Sequence, residues 1–183
     1  EALPVAEKRN KAVEFAKYDF IVHMDDDDYY FSDHVLAKIR IMLQYNSQGV
    51  HSFPIGVYDM MNDNSYIFDT RKDKNYDTNY VAEATLAYRK EYWKKNKFIS
   101  DNDNGVGEGG GFIGNNFHKW VNMHFMFNMI SITHTENISG DNRRLFQDKF
   151  EKNEKSGDFK SLMPKAFFDS VLNLKKLLNQ VKK

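Results

Sequence analysis

The stretch Phe20-Ile21-Val22-His23-Met24-Asp25-Asp26-Asp27-Asp28-Tyr29-Tyr30 runs from five mostly apolar residues into four consecutive carboxylates and two tyrosines. The apolar part is short and β-prone, which predicts a buried strand of an α/β sheet. The acids then lie at the carboxyl end of that strand, where open α/β sheets bind their ligands. Because crowded carboxylates repel one another unless a cation neutralises them, the pattern favours a divalent metal site. Hard oxygen ligands suit Mg²⁺ or Mn²⁺.

The acidic run has other interpretations. A solvated acidic turn stays open as the alternative to a metal site. A calcium loop of the EF-hand type needs acids at alternate positions and then glycine, whereas Tyr29 and Tyr30 occupy that region. Phosphatases with an aspartyl nucleophile usually carry Asp-x-Asp-x-Thr or Asp-x-Asp-x-Val, and here the fifth position is Tyr29. The EF-hand is therefore excluded, and the phosphatase remains a minor alternative with Asp25 as nucleophile.

The remaining match to the acidic run is a family resemblance. Asp25-x-Asp27 after an apolar strand resembles the Asp-x-Asp motif of nucleotide-sugar transferases. A helix is predicted from Pro4 to Lys17, and its Glu7-Lys8-Arg9-Asn10 resembles the Ala-Arg-Asn segment that precedes Asp-x-Asp in GT-A glycosyltransferases of the family 2 type. The family's alanine is a lysine here. The resemblance covers roughly residues 7 to 137.

Arg9 lies on the apolar stripe of the predicted first helix. An arginine that faces inward among apolar residues needs an anion, so Arg9 is a candidate contact for a phosphate or for one of the carboxylates. The alternative is an arginine at the helix rim whose guanidinium reaches water. With the resemblance, Arg9, Asp25 and Asp26 are the expected nucleotide-binding residues, with Asp25 or Asp26 near the ribose.

A glycine-rich stretch from Asp101 to Gly111 contains one glutamate, Glu108, at the predicted start of a helix. Glycines let a ligand approach the backbone closely. A helix-start acid is also favoured by the helix dipole alone, which is the structural alternative. In inverting GT-A transferases an acid at such a helix start is the general base, so the resemblance implies that role for Glu108. Gly109 stands where the family often has a second acid.

His134-Thr135-Glu136-Asn137 follows the last predicted strand, Met123 to Thr135. It is similar to a His-x-x-Asn segment that, in some relatives with long Asp runs, reaches the metal or the diphosphate. Neutral imidazole suits Mn²⁺ as a further ligand. A lone histidine at a strand end is equally often a satisfied core or rim residue. The metal ligands implied by the resemblance are therefore Asp25, Asp27 and His134, with Asp27 the first choice.

Composition narrows the class of protein. The 183 residues are 41% apolar and 15% aromatic, enough for one globular domain with a core. Acidic and basic residues balance at 26 each, so no overall field favours nucleic acid or a membrane. The absence of cysteine excludes disulfides, thiolate metal sites and a cysteine nucleophile. Neither a membrane span nor a signal peptide is recognisable, and the expected location is cytoplasmic.

The expected fold is α/β, a GT-A-like mixed sheet flanked by helices in a single partial domain over residues 1–183. The first strands of that family's sheet have no counterpart before Arg9, so the sheet is expected to lack them. Self-association, or a partner segment that completes the domain, is expected in consequence.

Further helices are predicted after an N-cap at Ser32 and over 166–181, the second one amphipathic. The other predicted elements are short strands at Val50–Phe53, Tyr66–Phe68 and Ala82–Tyr88, a basic aromatic turn at Arg89–Lys97, a helix from Glu108 to Val121, and a charged helix within Arg143–Lys155.

The resemblance implies transfer of a sugar, with inversion, from a nucleoside-diphosphate sugar to a hydroxyl acceptor. A UDP-sugar is the favoured donor, and Mn²⁺ or Mg²⁺ the cofactor. Two other classes stay open. A metal-dependent phosphohydrolase would use Asp25 as its nucleophile, and a non-catalytic carbohydrate-binding or protein-binding module would use the aromatic surface.

Overall fold

The structure is a computed structural model that describes residues 3–72, 80–99, 108–134, 137 and 158–181. It is a mixed α/β fold with two four-stranded mixed sheets flanked by helices. In chain order the helices and strands are α1 (Val5–Phe15), β1 (Phe20–Val22), β2 (Tyr29–Tyr30), α2 (His34–Gln44), β3 (Gly49–His51), β4 (Ile55–Asp59), β5 (Asn64–Phe68), β6 (Ala87–Arg89), α3 (Lys90–Lys95), α4 (Glu108–Ile113), β7 (Trp120–Asn122), β8 (Met129–Thr133) and α5 (Lys165–Val181).

The first sheet has the strand order β1-β6-β3-β7. β6 is antiparallel to β1 and to β3, and β3 is parallel to β7. One face of this sheet packs against α1, α3 and α4 through a cluster that includes Val13, Tyr88, Trp93 and Phe112. The other face packs against α2 through Met42 and its neighbours. Helices therefore cover both faces, as the apolar strands require.

The second sheet has the order β2-β8-β4-β5, in which β4 and β8 are parallel and the outer pairs are antiparallel. Its core contains Tyr58, Phe125, Ile132 and Val171, so α5 packs on this sheet.

The chain passes from the first sheet to the second at three places: from β1 to β2, from β3 to β4 and from β7 to β8. The four aspartates lie in the first of these crossings, between the two sheets.

Several helices and strands agree with the sequence predictions. The first helix follows Pro4 and includes Arg9, β1 ends two residues before the aspartates, and α4 contains Glu108 as its first described residue. The amphipathic carboxy-terminal helix spans Lys165–Val181 against the predicted 166–181. Residues 143–155, with their predicted charged helix, lie outside the described residues, as do 73–79 and 101–107.

The structure corrects two predictions about burial, the second of them in part. β1 is an outer strand with half-buried residues, not a buried strand, because among the described residues it has a strand neighbour on one side only. The helical repeat of Val35, Leu36, Ile39, Met42 and Leu43 predicts a core-packing face for α2. Met42 is fully buried, but Val35, Leu36 and Leu43 are 38%, 48% and 58% exposed. The helix also buries His34 and Lys38. The strands that flank α2 fix its orientation, and this overrides the apolar repeat.

Predicted boundaries also shifted. The N-cap of α2 is Asp33 rather than Ser32, and the basic aromatic turn is the short helix α3. Only the end of 82–88 is strand, since a 3₁₀ turn occupies Glu83–Thr85. The helix from Glu108 ends at Ile113, after which a 3₁₀ segment leads into β7. The strand predicted from residue 123 begins at Met129, and β4 was missed altogether.

Within the described residues, none of the helices is both long enough and apolar enough to cross a membrane.

Candidate metal centre

Three of the four aspartates in the crossing from β1 to β2 come together. One carboxylate oxygen from each of Asp25, Asp27 and Asp28 lies within 4.8 Å of the other two. Asp26 is exposed and lies outside this group. The three carboxylates (the Asp triad) are close enough to share one cation, and their mutual repulsion favours binding of one.

Asp28 is held by the second sheet. Its Oδ1 accepts hydrogen bonds from the Ser131 hydroxyl at 3.0 Å and from the Ile132 backbone N–H at 2.9 Å, both in β8. Hydrogen bonds of this kind stabilise the charged form of a carboxylate. Asp28 therefore fixes the acidic turn onto β8 through one of its two carboxylate oxygens.

Asp27 faces His134 and Asn137, the two outer residues of the His-x-x-Asn segment. Asp27 Oδ2 accepts a hydrogen bond from Asn137 Nδ2 at 2.8 Å and lies 3.2 Å from His134 Nε2. The backbone N–H of His134 also donates to the Asn137 side chain. The predicted proximity of His134 to the acidic run is thus observed, across more than a hundred residues of sequence.

Asp25 faces α1. Its Oδ1 lies 3.9 Å from Arg9 Nη1, and the same Nη1 lies 3.0 Å from His23 Nδ1. His23 is neutral, because burial, with Arg9 and Lys38 nearby, lowers its pKa to about 3. Its Nδ1 then accepts from Arg9, and Nε2 donates to the Tyr88 hydroxyl, 2.9 Å away. This arrangement holds the guanidinium of Arg9 against the triad.

Glu108 lies on the other side of Arg9. Its Oε2 pairs with Arg9 Nε at 3.3 Å, its side chain is 2% exposed, and its Oε1 has no hydrogen-bond partner among the residues that the structure describes. Burial raises the pKa of Glu108, and Arg9 opposes that shift. Arg9 thus connects the predicted base to the predicted metal ligands, so that Glu108, Arg9 and Asp25 form one row.

Two residues that sequence reasoning missed support this row. Glu83 accepts a hydrogen bond from the Gly109 N–H at 2.8 Å, which holds the start of α4 in place, and burial raises the pKa of Glu83. Tyr30 accepts a hydrogen bond from the Asp25 N–H at 2.8 Å and donates to the Ala84 carbonyl. Neither role leaves a local sequence signal, because each depends on contacts between distant segments.

The centre is strongly acidic. Among the described residues, Arg9 is the cation that contacts both Asp25 and Glu108, while the triad contributes three carboxylates. An added divalent cation would reduce this excess, and carboxylate oxygens are the donors that Mg²⁺ and Mn²⁺ prefer. The imidazole of His134 beside them suits Mn²⁺ better than Mg²⁺. The residues present therefore fit such an ion.

Comparison with known proteins identifies no family: no protein family model matches the chain, and no curated protein matches it.

Proposed function

We propose that this chain is a metal-dependent glycosyltransferase that moves a sugar from a nucleoside-diphosphate sugar to a hydroxyl acceptor, on a GT-A-like fold. The observation that carries the proposal is the convergence of Asp25, Asp27 and Asp28, with His134 beside Asp27 and Arg9 beside Asp25. A solvated acidic turn does not require a distant histidine, asparagine and arginine around it.

In this proposal Asp25, Asp27 and His134 bind Mn²⁺ or Mg²⁺. Asp28 positions the turn, since its Oδ1 is already engaged by β8. A bound divalent ion would supply Lewis acidity to the leaving diphosphate. Arg9 is partly buried and cationic, and it can add charge-assisted hydrogen bonds to the same phosphates. Asp26 is exposed beside the triad and is the candidate contact to the ribose.

Transfer with inversion forms a bond from the acceptor oxygen to the anomeric carbon as the bond from that carbon to the diphosphate oxygen breaks. The acceptor hydroxyl must lose its proton, and Glu108 is the proposed base. No described residue hydrogen-bonds to its Oε1, so this atom can take the proton while Arg9 holds Oε2. A carboxylate with a raised pKa is also the stronger base. Because Glu108 is buried, part of its packing must open to admit the acceptor.

The first test is calorimetric titration with Mn²⁺ alone. Wild type should bind, Asp27→Asn should lose most of the affinity, and Asp26→Asn should match wild type because Asp26 lies outside the triad. The two variants remove the same charge at adjacent positions of one turn, so general electrostatics cannot explain a difference between them. Equal affinities in all three proteins would contradict the metal assignment.

The second test separates the reaction classes. With Mn²⁺ present, the chain is titrated with UDP, GDP and pyrophosphate, and then supplied with nucleotide sugars with and without hydroxyl acceptors. Acceptor-dependent release of nucleoside diphosphate supports the transferase. Phosphate release without an acceptor would indicate a phosphohydrolase that uses Asp25. Glycan or peptide binding that survives loss of every triad residue would indicate a non-catalytic binding module.

A further inference from the structure

One cation serves two carboxylates at the centre of the site. Arg9 Nε donates to Glu108 Oε2 at 3.3 Å, and Nη1 of the same guanidinium lies 3.9 Å from Asp25 Oδ1. Nη1 also donates to His23 Nδ1 at 3.0 Å, and this bond fixes the orientation of the guanidinium. Any further anion that reaches Arg9 therefore shares its charge with Glu108 and with the Asp triad.

Arg9 has donors left for such an anion. A guanidinium carries five N–H groups. Among the described residues, acceptors are present for Nε and for Nη1, which leaves both N–H groups of Nη2 for a ligand. The side chain is 18% exposed, so a ligand at the triad can reach it. The planar fork of arginine matches the oxygens of a phosphate, which makes a diphosphate beside the triad a strong competitor for this cation.

Glu108 depends on the charge of Arg9. The Glu108 side chain is 2% exposed. Burial raises the pKa of Glu108, while Arg9 and, after it, the backbone N–H of Ala6 act in the opposite direction. A buried carboxylate whose cation is claimed by another anion holds a proton more strongly. An anion bound to Arg9 therefore makes Glu108 a better proton acceptor.

We propose that Arg9 couples donor binding to the base: Glu108 and the diphosphate of the donor compete for its guanidinium, so a bound donor weakens the Arg9–Glu108 pair. Glu108 then reaches its full strength as a base only when a sugar donor is in place. This coupling rests on the proposed function, because it needs the diphosphate at the Asp triad. Coupling between two equilibria is reciprocal, so the pair must in turn weaken the binding of the diphosphate.

Calorimetric titration with UDP at saturating Mn²⁺ tests the competition without any turnover. Glu108→Gln removes the competing charge and should bind UDP about five-fold or more tightly than wild type. Glu83 is a second acid near Arg9 that hydrogen-bonds to the Gly109 N–H instead, so Glu83→Gln is the matched control and should give a clearly smaller gain. In an Arg9→Gln background, Glu108→Gln should add no affinity, because a buried Glu108 without its cation is already neutral.

A second measurement uses the wild-type protein. In ¹H–¹⁵N NMR spectra the Nε–H signal of Arg9, assigned by its loss in Arg9→Lys, should lie downfield because it donates to a carboxylate. UDP with diamagnetic Mg²⁺ should move this signal upfield as the pair weakens. The Nε–H of Arg89 donates to the Ser47 carbonyl at 3.0 Å, beside the start of β1 and away from the aspartates, and its signal should stay in place.

The outcomes separate the coupling from the proposed function. Equal UDP affinity in wild type and Glu108→Gln, a gain that is undiminished without Arg9, or an Arg9 signal that UDP leaves in place would overturn the coupling, while the transferase proposal would stand. If neither wild type nor Glu108→Gln binds UDP, GDP or pyrophosphate with Mn²⁺ present, the proposed function fails and the coupling fails with it.

Discussion

Replacing Lys38 with methionine should raise the free energy of unfolding at neutral pH. Lys38 lies on the inner face of α2 and is fully buried, and its Nζ has no hydrogen-bond partner within the described part of the chain. The groups near it are His34, His23 and the ring of Tyr30, whose centroid is 5.8 Å from Nζ. Methionine has a similar length and needs no partner.

The magnitude follows from the pKa of the amine. Burial lowers the pKa of Lys38 from 10.5 to about 7. A shift of one pKa unit corresponds to about 1.4 kcal/mol. The lowered pKa of Lys38 therefore destabilises the folded protein by up to about 5 kcal/mol when the amine is protonated in both the folded and the unfolded state. Between pH 7 and 10.5 the unfolded chain holds a proton that the folded chain lacks, so the Lys38 penalty shrinks as pH rises through this window. It is fully present below the folded-state pKa and absent above the unfolded-state pKa.

Urea unfolding across that pH window measures the effect. The stability advantage of Lys38→Met over wild type should be largest at pH 7 and should fall toward pH 10.5. Lys94→Met removes an exposed lysine from α3 and serves as the matched control, with no comparable pH-dependent advantage. A methionine variant less stable than wild type at pH 7, or an advantage independent of pH, would show that Lys38 has a partner or reaches water.

The remaining predictions concern the site and the packing of the first sheet. Glu108→Gln should leave Mn²⁺ binding intact and lower the transfer rate by about 10²–10⁴-fold, because an amide cannot accept the proton; unchanged turnover would assign the base elsewhere. His134→Ala should weaken Mn²⁺ binding less than Asp27→Asn, since it removes a neutral ligand, and calorimetry would contradict the ligand order if the two losses were reversed. Gly49→Ala should destabilise the fold by about 1–3 kcal/mol, because its Cβ would come within 2.6 Å of the Trp120 ring. Gly111→Ala, where an added Cβ meets nothing within 4 Å, should not, and equal unfolding midpoints for the two alanine variants would refute the packing argument.

The acidic centre was predictable in part because its main signal is local. Four consecutive carboxylates directly after a β-prone run can be recognised in the sequence without knowledge of the fold, and so can the helix that contains Glu108. The apolar stripe of the first helix made Arg9 a candidate contact for the same site and the resemblance added His134, and the structure brings both to the triad. The separate tasks of Asp26 and Asp28 were not predictable, because a run of identical residues does not show which carboxylate meets the N–H groups of β8.

By itself, the sequence determined the mixed α/β class, the position of the acids after a strand and the amphipathic helix at the carboxyl end, since each is a periodic or local pattern. Only the tertiary structure decided that the strands divide into two sheets, that α2 buries Lys38 while part of its apolar repeat is exposed, and that Glu83 fixes the start of α4. These features depend on contacts between segments far apart in the chain. Short strands of three to five residues carry too little pattern to specify their own partners, so strand pairing and helix orientation are set by the packing of the whole domain.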